Sequence, residues 1–98
     1  MINLRSFLFI PGDSEKKLGR ADGAGADALI LDLEDAVSPA NKPLARQLVP
    51  EFIGQRPRGS RKSQLWVRIN PLDSGLALAD LAAVVAAGPD GLMLPKAN

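Results

Sequence analysis

Cysteine and histidine are both absent from this chain of 98 residues. Without cysteine there is no disulfide framework and no thiolate metal site, a pattern that fits a cytoplasmic protein. Without histidine, neither a serine–histidine pair nor a histidine-ligated metal can be built from these residues. Charge of one sign is lacking too. The net charge is +1, too weak a field to hold nucleic acid or an anionic membrane. No apolar run approaches the length of a membrane span. The first residues show no basic region followed by an apolar core and a cleavage site, so no signal peptide is expected. Neither GxGxxG nor GxxxxGK occurs, which removes the usual phosphate loops. Low-complexity stretches are missing as well. What remains is ordinary for one soluble globular domain, 46% hydrophobic and 23% charged.

Four short apolar runs, at 6–10, 28–33, 65–69 and 92–94, are each bounded by turn residues. Runs this short favour strand over helix. Between them lie stretches with helical spacing and end signals. Asp13 or Ser14 can cap a helix that Gly23 and Gly25 stop. After Ser38-Pro39, Leu44, Leu48 and Phe52 form an apolar stripe at i, i+4, i+8. A third helix carries Leu78, Leu81, Val84 and Val85 to a stop at Gly88-Pro89. The spacing predicts strands near 5–10, 28–34, 65–70 and 91–95, and helices near 13–23, 40–55 and 75–87. Residues 55–63, with Arg56, Arg58, Arg61 and Lys62, read as a solvated basic loop.

Strict β-α alternation implies a parallel sheet, which either opens as a doubly wound sheet or closes as a barrel. The sequence ends at Asn98 just past the fourth strand. Four βα units are half of a barrel that needs about 250 residues. Residues 1–98 are therefore expected to be the N-terminal half of a single TIM (β/α)₈ barrel, truncated after strand four.

Polar residues gather where the strands end, which is where parallel α/β folds place their chemistry. Strand one ends in Pro11-Gly12-Asp13. Strand two ends in Asp32-Leu33-Glu34-Asp35, three carboxylates within four residues. They are either solvated acids at a strand end or oxygen donors for a hard cation such as Mg²⁺. Strand three alternates, with Trp66, Arg68 and Asn70 on one face and Leu65, Val67 and Ile69 on the other. Arg68 then points into the barrel near its rim, as a salt-bridge partner of Asp32 and Glu34, as a clamp on a substrate carboxylate, or as each at different stages. Lys96 is a Schiff-base candidate, more simply read as a solvated lysine.

Five stretches resemble the HpcH/HpaI aldolase and citrate lyase β-subunit family in order and spacing. They are RSFLFIPG at 5–12, GADALILDLEDAV at 25–37, Lys42 with Ala45-Arg46, VRIN at 67–70, and DGLMLPK at 90–96. The pattern is closer to the citrate lyase β-subunit (CitE-like) and malyl-CoA lyase branch than to the hydroxy-diacid aldolases. The resemblance implies a Mg²⁺-dependent carbon–carbon lyase in the cytoplasm. Such an enzyme cleaves or forms a β-hydroxyacyl thioester by retro-Claisen chemistry. Citryl or malyl thioesters of CoA or of an acyl carrier protein are the implied substrates, with a keto acid such as oxaloacetate as product. It further implies that Arg68 binds the acid end of the substrate, that Glu34 and Asp35 hold metal-bound water, and that Phe9 and Arg20 contact CoA. Ser14 stands where many members have arginine, which removes one phosphate contact. The direct metal ligands of the family, a Glu and an Asp on later strands, fall beyond Asn98, so no metal ligand is expected in this segment, which by itself would be inactive. A homo-oligomer is expected of the full-length protein, with no nucleic-acid or membrane partner. The alternative is a non-catalytic metabolite-binding barrel or interaction module.

Overall fold

In the computed structural model, residues 6–95 are described. The elements run β1 (Phe7–Pro11), α1 (Glu15–Arg20), β2 (Ala28–Asp32), α2 (Lys42–Gly54), β3 (Gln64–Arg68), α3 (Ala77–Val84) and β4 (Gly91–Met93). Short 3₁₀ turns extend α1 through Ala21–Ala24 and α3 through Val85–Ala87. The four strands form one sheet in the order β1-β2-β3-β4, and every neighbouring pair is parallel. The strands and helices expected from the sequence are thus present, and α1 begins at the expected cap, where Ser14 accepts a bond from the Lys17 amide at 3.2 Å.

The register assigns side chains to two faces. Ile10, Leu29, Leu31, Leu33, Leu65, Val67 and Ile69 point one way, into a single buried cluster with Leu18, Ala45, Val49, Phe52, Ile53, Ala77 and Val84 from the helices. All three helices therefore cover the same face. The ALILD run of β2 is buried throughout, as a central parallel strand requires. On the other face the rows are Phe7–Ala28–Gln64, Phe9–Ile30–Trp66–Gly91 and Pro11–Asp32–Arg68–Met93. No helix among the described residues covers these rows, and Phe7 and Phe9 remain 54% and 47% exposed. A Cβ on Gly91 would sit 2.3 Å from the Trp66 ring, so the indole needs a glycine beside it.

Two helical stripes differ from expectation. In α2 the buried apolar residues are Ala45, Val49, Phe52 and Ile53, while Leu44 is exposed. In α3 the buried residues are Ala77, Asp80 and Val84, and Leu78 is 81% exposed. Small alanines let the helices approach the sheet closely and Leu44 and Leu78 turn outward, while Leu48 and Leu81 pack partly buried against the core as expected. The basic loop is exposed at Arg58 and Lys62, as expected, but its three arginines are also bonded. Arg56 pairs with Asp22 at 2.9 Å and stacks on Phe52. Arg58 and Arg61 donate to the carbonyls of Pro89 and Gly88 at 2.8 Å each, and Arg61 pairs with Asp90. Arginines here bind carbonyls that end the 3₁₀ turn after α3, and so fasten the loop before β3 to the loop before β4.

Candidate functional site at the strand ends

Asp32, the last residue of β2, is fully buried. Each carboxylate oxygen accepts two hydrogen bonds. Oδ1 takes the Glu34 amide and Arg68 Nε, both at 2.9 Å, and Oδ2 takes the Ala36 amide at 2.9 Å and Arg68 Nη2 at 2.6 Å. Burial pushes the carboxyl pKa up, but the bonds from Arg68 and from the two amides outweigh it and hold Asp32 below the usual carboxylate range. Arg68 responds in the opposite sense. Its bond to Asp32 raises its pKa against the cost of burial, with further help from Glu34 and Asp35.

Arg68 lies on β3, and its guanidinium carbon stands 4.7 Å from the centre of the Phe9 ring on β1. The side chain therefore reaches across β2, held by Asp32 below and by the aromatic face beside it. Glu34 Oε1 lies 3.6 Å from Arg68 Nε, and Asp35 is exposed. The structure thus brings Phe9, Asp32, Glu34 and Arg68 together on the helix-free side of the sheet, at the ends of β1, β2 and β3. The salt-bridge reading of Arg68 is present in its geometry. That bond engages two of the five N–H groups of a guanidinium.

Arg20 sits apart from this cluster, at the end of α1. With Phe9, Leu8, Pro11, Lys17 and Ala24 it lines a cavity of about 290 Å³ along the outer edge of β1. Phe9 links the two places, one wall of the cavity and one flank of Arg68. Lys96 lies outside the described residues.

Whether this cluster fits a hard cation follows from its donors. Mg²⁺ demands a near-octahedral set of oxygens. Asp32 is saturated by its four hydrogen bonds, which leaves Glu34 and Asp35 as acceptors. Two such carboxylates suit hydrogen bonds to metal-bound water and do not complete a coordination sphere. Among the described residues, no three acidic, histidine or cysteine side chains are grouped so as to hold a metal.

Several residues that set this geometry escaped the sequence reading. Asn70 was expected on the face of Trp66 and Arg68, but β3 ends at Arg68. Past that point the Asn70 amide group donates to Leu33 O at 2.9 Å and to Asp80 at 2.7 Å. Asp80, buried on α3, also accepts the Asn70 backbone N–H at 2.7 Å and Arg46 Nε at 2.8 Å. Lys42, at the start of α2, donates to Leu33 O at 2.9 Å and Glu34 O at 3.0 Å. The family stretches include Lys42, Arg46 and Asn70, yet nothing in their spacing signals these contacts.

The described residues thus form a parallel α/β sheet with helices on one face and a carboxylate-held arginine beside acids at its strand ends. The chain belongs to the HpcH/HpaI aldolase/citrate lyase family, whose sequence model matches residues 5–98. It is 45% identical over 92 residues to the citrate lyase subunit beta of Leuconostoc mesenteroides subsp. cremoris, covering 94% of this chain and 30% of that protein. To a (3S)-malyl-CoA thioesterase of Cereibacter sphaeroides it is 40% identical over 94 residues, 96% of this chain and 32% of that protein. The citrate lyase beta subunit of M. tuberculosis, solved with oxaloacetate and magnesium, superimposes with a TM-score of 0.73 at 37% identity, covering 93% of this chain and 38% of that one. A structure of M. tuberculosis CitE with magnesium, acetoacetate and coenzyme A gives 0.71 at 36% identity, covering 93% and 32%. The chain thus spans about a third of the length of the relatives it matches. Among the described residues no helix is long and apolar enough to cross a membrane.

Proposed function

We propose that the chain forms the first four βα units of a (β/α)₈ barrel lyase. Sequential strand order with all helices on one face supports the barrel, since a doubly wound sheet reverses its order and covers both faces. The reaction is cleavage or formation of a carbon–carbon bond in a β-hydroxyacyl thioester such as citryl-CoA, citryl-acyl carrier protein or malyl-CoA. Cleavage gives a keto acid, oxaloacetate in the citryl case, and an acyl thioester.

One observation carries this reading: Arg68 is fixed by a buried carboxylate while, among the described residues, only two of its five N–H groups are hydrogen-bonded. A carboxylate of the substrate meets that unused edge as a bidentate pair. The one N–H then left stabilises charge on the hydroxyl oxygen as it becomes a carbonyl, the moment at which fixed donors count most. Asp32 keeps the guanidinium from reorganising toward the leaving fragment. Mg²⁺ supplies Lewis-acid polarisation of the acid end of the substrate, and magnesium is present in the similar M. tuberculosis structures. Glu34 and Asp35 hold water around the ion. Phe9 and Arg20, with Lys17 between them in the cavity, receive the apolar and phosphate parts of CoA. We place the protein in the cytoplasm, as a homo-oligomer.

A second reading comes from the malyl-CoA thioesterase relative, namely hydrolysis of the thioester without carbon–carbon cleavage. Incubation of the full-length protein with citryl-CoA, malyl-CoA and citramalyl-CoA, each with Mg²⁺, separates the two. Release of a keto acid with an acyl-CoA supports the lyase. Free CoA with an intact hydroxy acid supports the thioesterase, and no turnover of any of the three defeats both.

A further inference from the structure

The loop that follows β2 is held far more firmly than an ordinary βα connection. The Asp32 side chain binds the amides of Glu34 and Ala36, the Leu33 amide binds Arg68 O at 2.9 Å, and the Val37 amide binds Glu34 O at 3.2 Å. Two side chains then close on the outward carbonyls. Leu33 O accepts both Lys42 Nζ and the Asn70 amide group, and Glu34 O accepts Lys42 Nζ.

Lys42 is the unexpected member. It is 9% exposed, and among the described residues no carboxylate lies within ion-pair distance of its ammonium. It also stands at the first residue of α2, beside the positive end of the helix dipole, where a cation is disfavoured. A buried ammonium whose hydrogen bonds go to neutral carbonyls is an expensive way to satisfy two backbone groups. What it offers in return is charge. Residues 32–35 carry three carboxylates, and Arg68 neutralises one of them. Lys42 places a second cation behind the loop without occupying the face where Glu34 and Asp35 work.

We propose that Lys42 is a positioning residue: its ammonium locks the Leu33 and Glu34 carbonyls and so fixes the Glu34–Asp35 carboxylates at the Arg68 rim. Asn70, anchored by Asp80 and through it by Arg46, forms the opposite jaw on Leu33 O. The lock couples both helices that flank β3 to the acidic loop. The role in the reaction rests on the lyase reading above, whereas the lock itself does not.

Lys42→Met removes the charge and both bonds at similar length, and Lys42→Arg restores charge and donors. Amide hydrogen exchange is followed by NMR alongside the Mg²⁺ dependence of thioester cleavage. In Lys42→Met, exchange at Glu34 and Ala36 should rise at least tenfold while Leu31 in β2 is unchanged. The half-saturating Mg²⁺ concentration should rise roughly tenfold, the scale for losing a group that supports metal-bound partners, with kcat largely regained at saturating metal. Lys42→Arg should recover part of each effect. If Lys42→Met does not fold, Lys42→Gln, with a neutral donor, provides the same comparison. Unchanged exchange at Glu34 and Ala36 overturns the proposal. So does faster exchange with an unaltered metal requirement in a wild-type protein that is active. Failure of the lyase reading is seen separately, as wild-type protein that cleaves none of the thioesters, and the exchange comparison still decides the lock.

Discussion

Replacing Arg68 by lysine keeps the charge and loses the planar fork. In the structure that fork makes two bonds to Asp32, at 2.9 and 2.6 Å, and rests against Phe9. A lysine ammonium can retain one of these bonds at most in the same geometry. One charge-assisted hydrogen bond is worth about 1.5–3 kcal/mol, so the melting temperature of the full-length protein should fall by roughly 3 °C or more on the scale of a larger domain. The sequence leaves Arg68 open as a substrate clamp or as a salt-bridge partner of Asp32 and Glu34. The burial of Asp32 makes an effect on stability certain to accompany any effect on chemistry, because a carboxylate out of water needs its partner. The larger effect falls on chemistry, where kcat/KM should drop about 10²-fold or more, the scale for losing one preorganised oxyanion contact. Thermal melts and steady-state kinetics on one purified sample, with kinetics taken well below the melt, separate the two contributions. A variant that melts lower yet retains full kcat/KM refutes the clamp and leaves Arg68 as the partner of Asp32 alone.

The depressed pKa of Asp32 sets an acid limit on stability. Its contribution is complete above the unfolded carboxyl value of about 3.9 and is lost as pH falls through the lower folded value. Melting temperature should therefore drop between pH 4 and more acid conditions, and Asp32→Asn should flatten that drop while melting several degrees lower at pH 7; an unchanged acid profile in Asp32→Asn would count against the assignment. Gly12 should tolerate no side chain, because a Cβ there meets Asp32 O at 2.6 Å and Val49 Cγ2 at 2.7 Å. Gly12→Ala should cost about 1–3 kcal/mol, read by urea denaturation, and a neutral result would show that β1 and α2 can move apart.

Much of the fold is legible in the sequence because the strands read as short apolar runs, and β2, buried throughout, is the clearest of them. Strand alternation also separates Arg68 from Leu65 and Val67 correctly. The helices are harder. Leu44 and Leu78 attract an apolar stripe, but the sheet selects Ala45 and Ala77 because small residues allow close packing. Asp80 cannot be found by hydropathy at all, since its partners, Arg46 and Asn70, come from two other parts of the chain. The basic loop misleads for the same reason. Its arginines look solvated until the carbonyls of Gly88 and Pro89 arrive beside them. At the site, residue types and strand-end positions indicate where chemistry belongs. They do not reveal that Asp32 is spent entirely on Arg68 and two amides, nor that Lys42 reaches back behind the acids.

The central claim is carbon–carbon chemistry at the Arg68 rim, and running the reaction toward bond formation tests it most directly. The full-length protein is mixed with Mg²⁺, acetyl-CoA carrying ¹³C at its methyl carbon, and oxaloacetate, glyoxylate or pyruvate carrying ¹³C at the carbonyl carbon next to the carboxylate. A one-bond ¹³C–¹³C coupling is expected in the product with at least one of these acids, dependent on Mg²⁺ and lost in Arg68→Lys. Free CoA and labelled acetate with no coupled product from any of the three acids would contradict it.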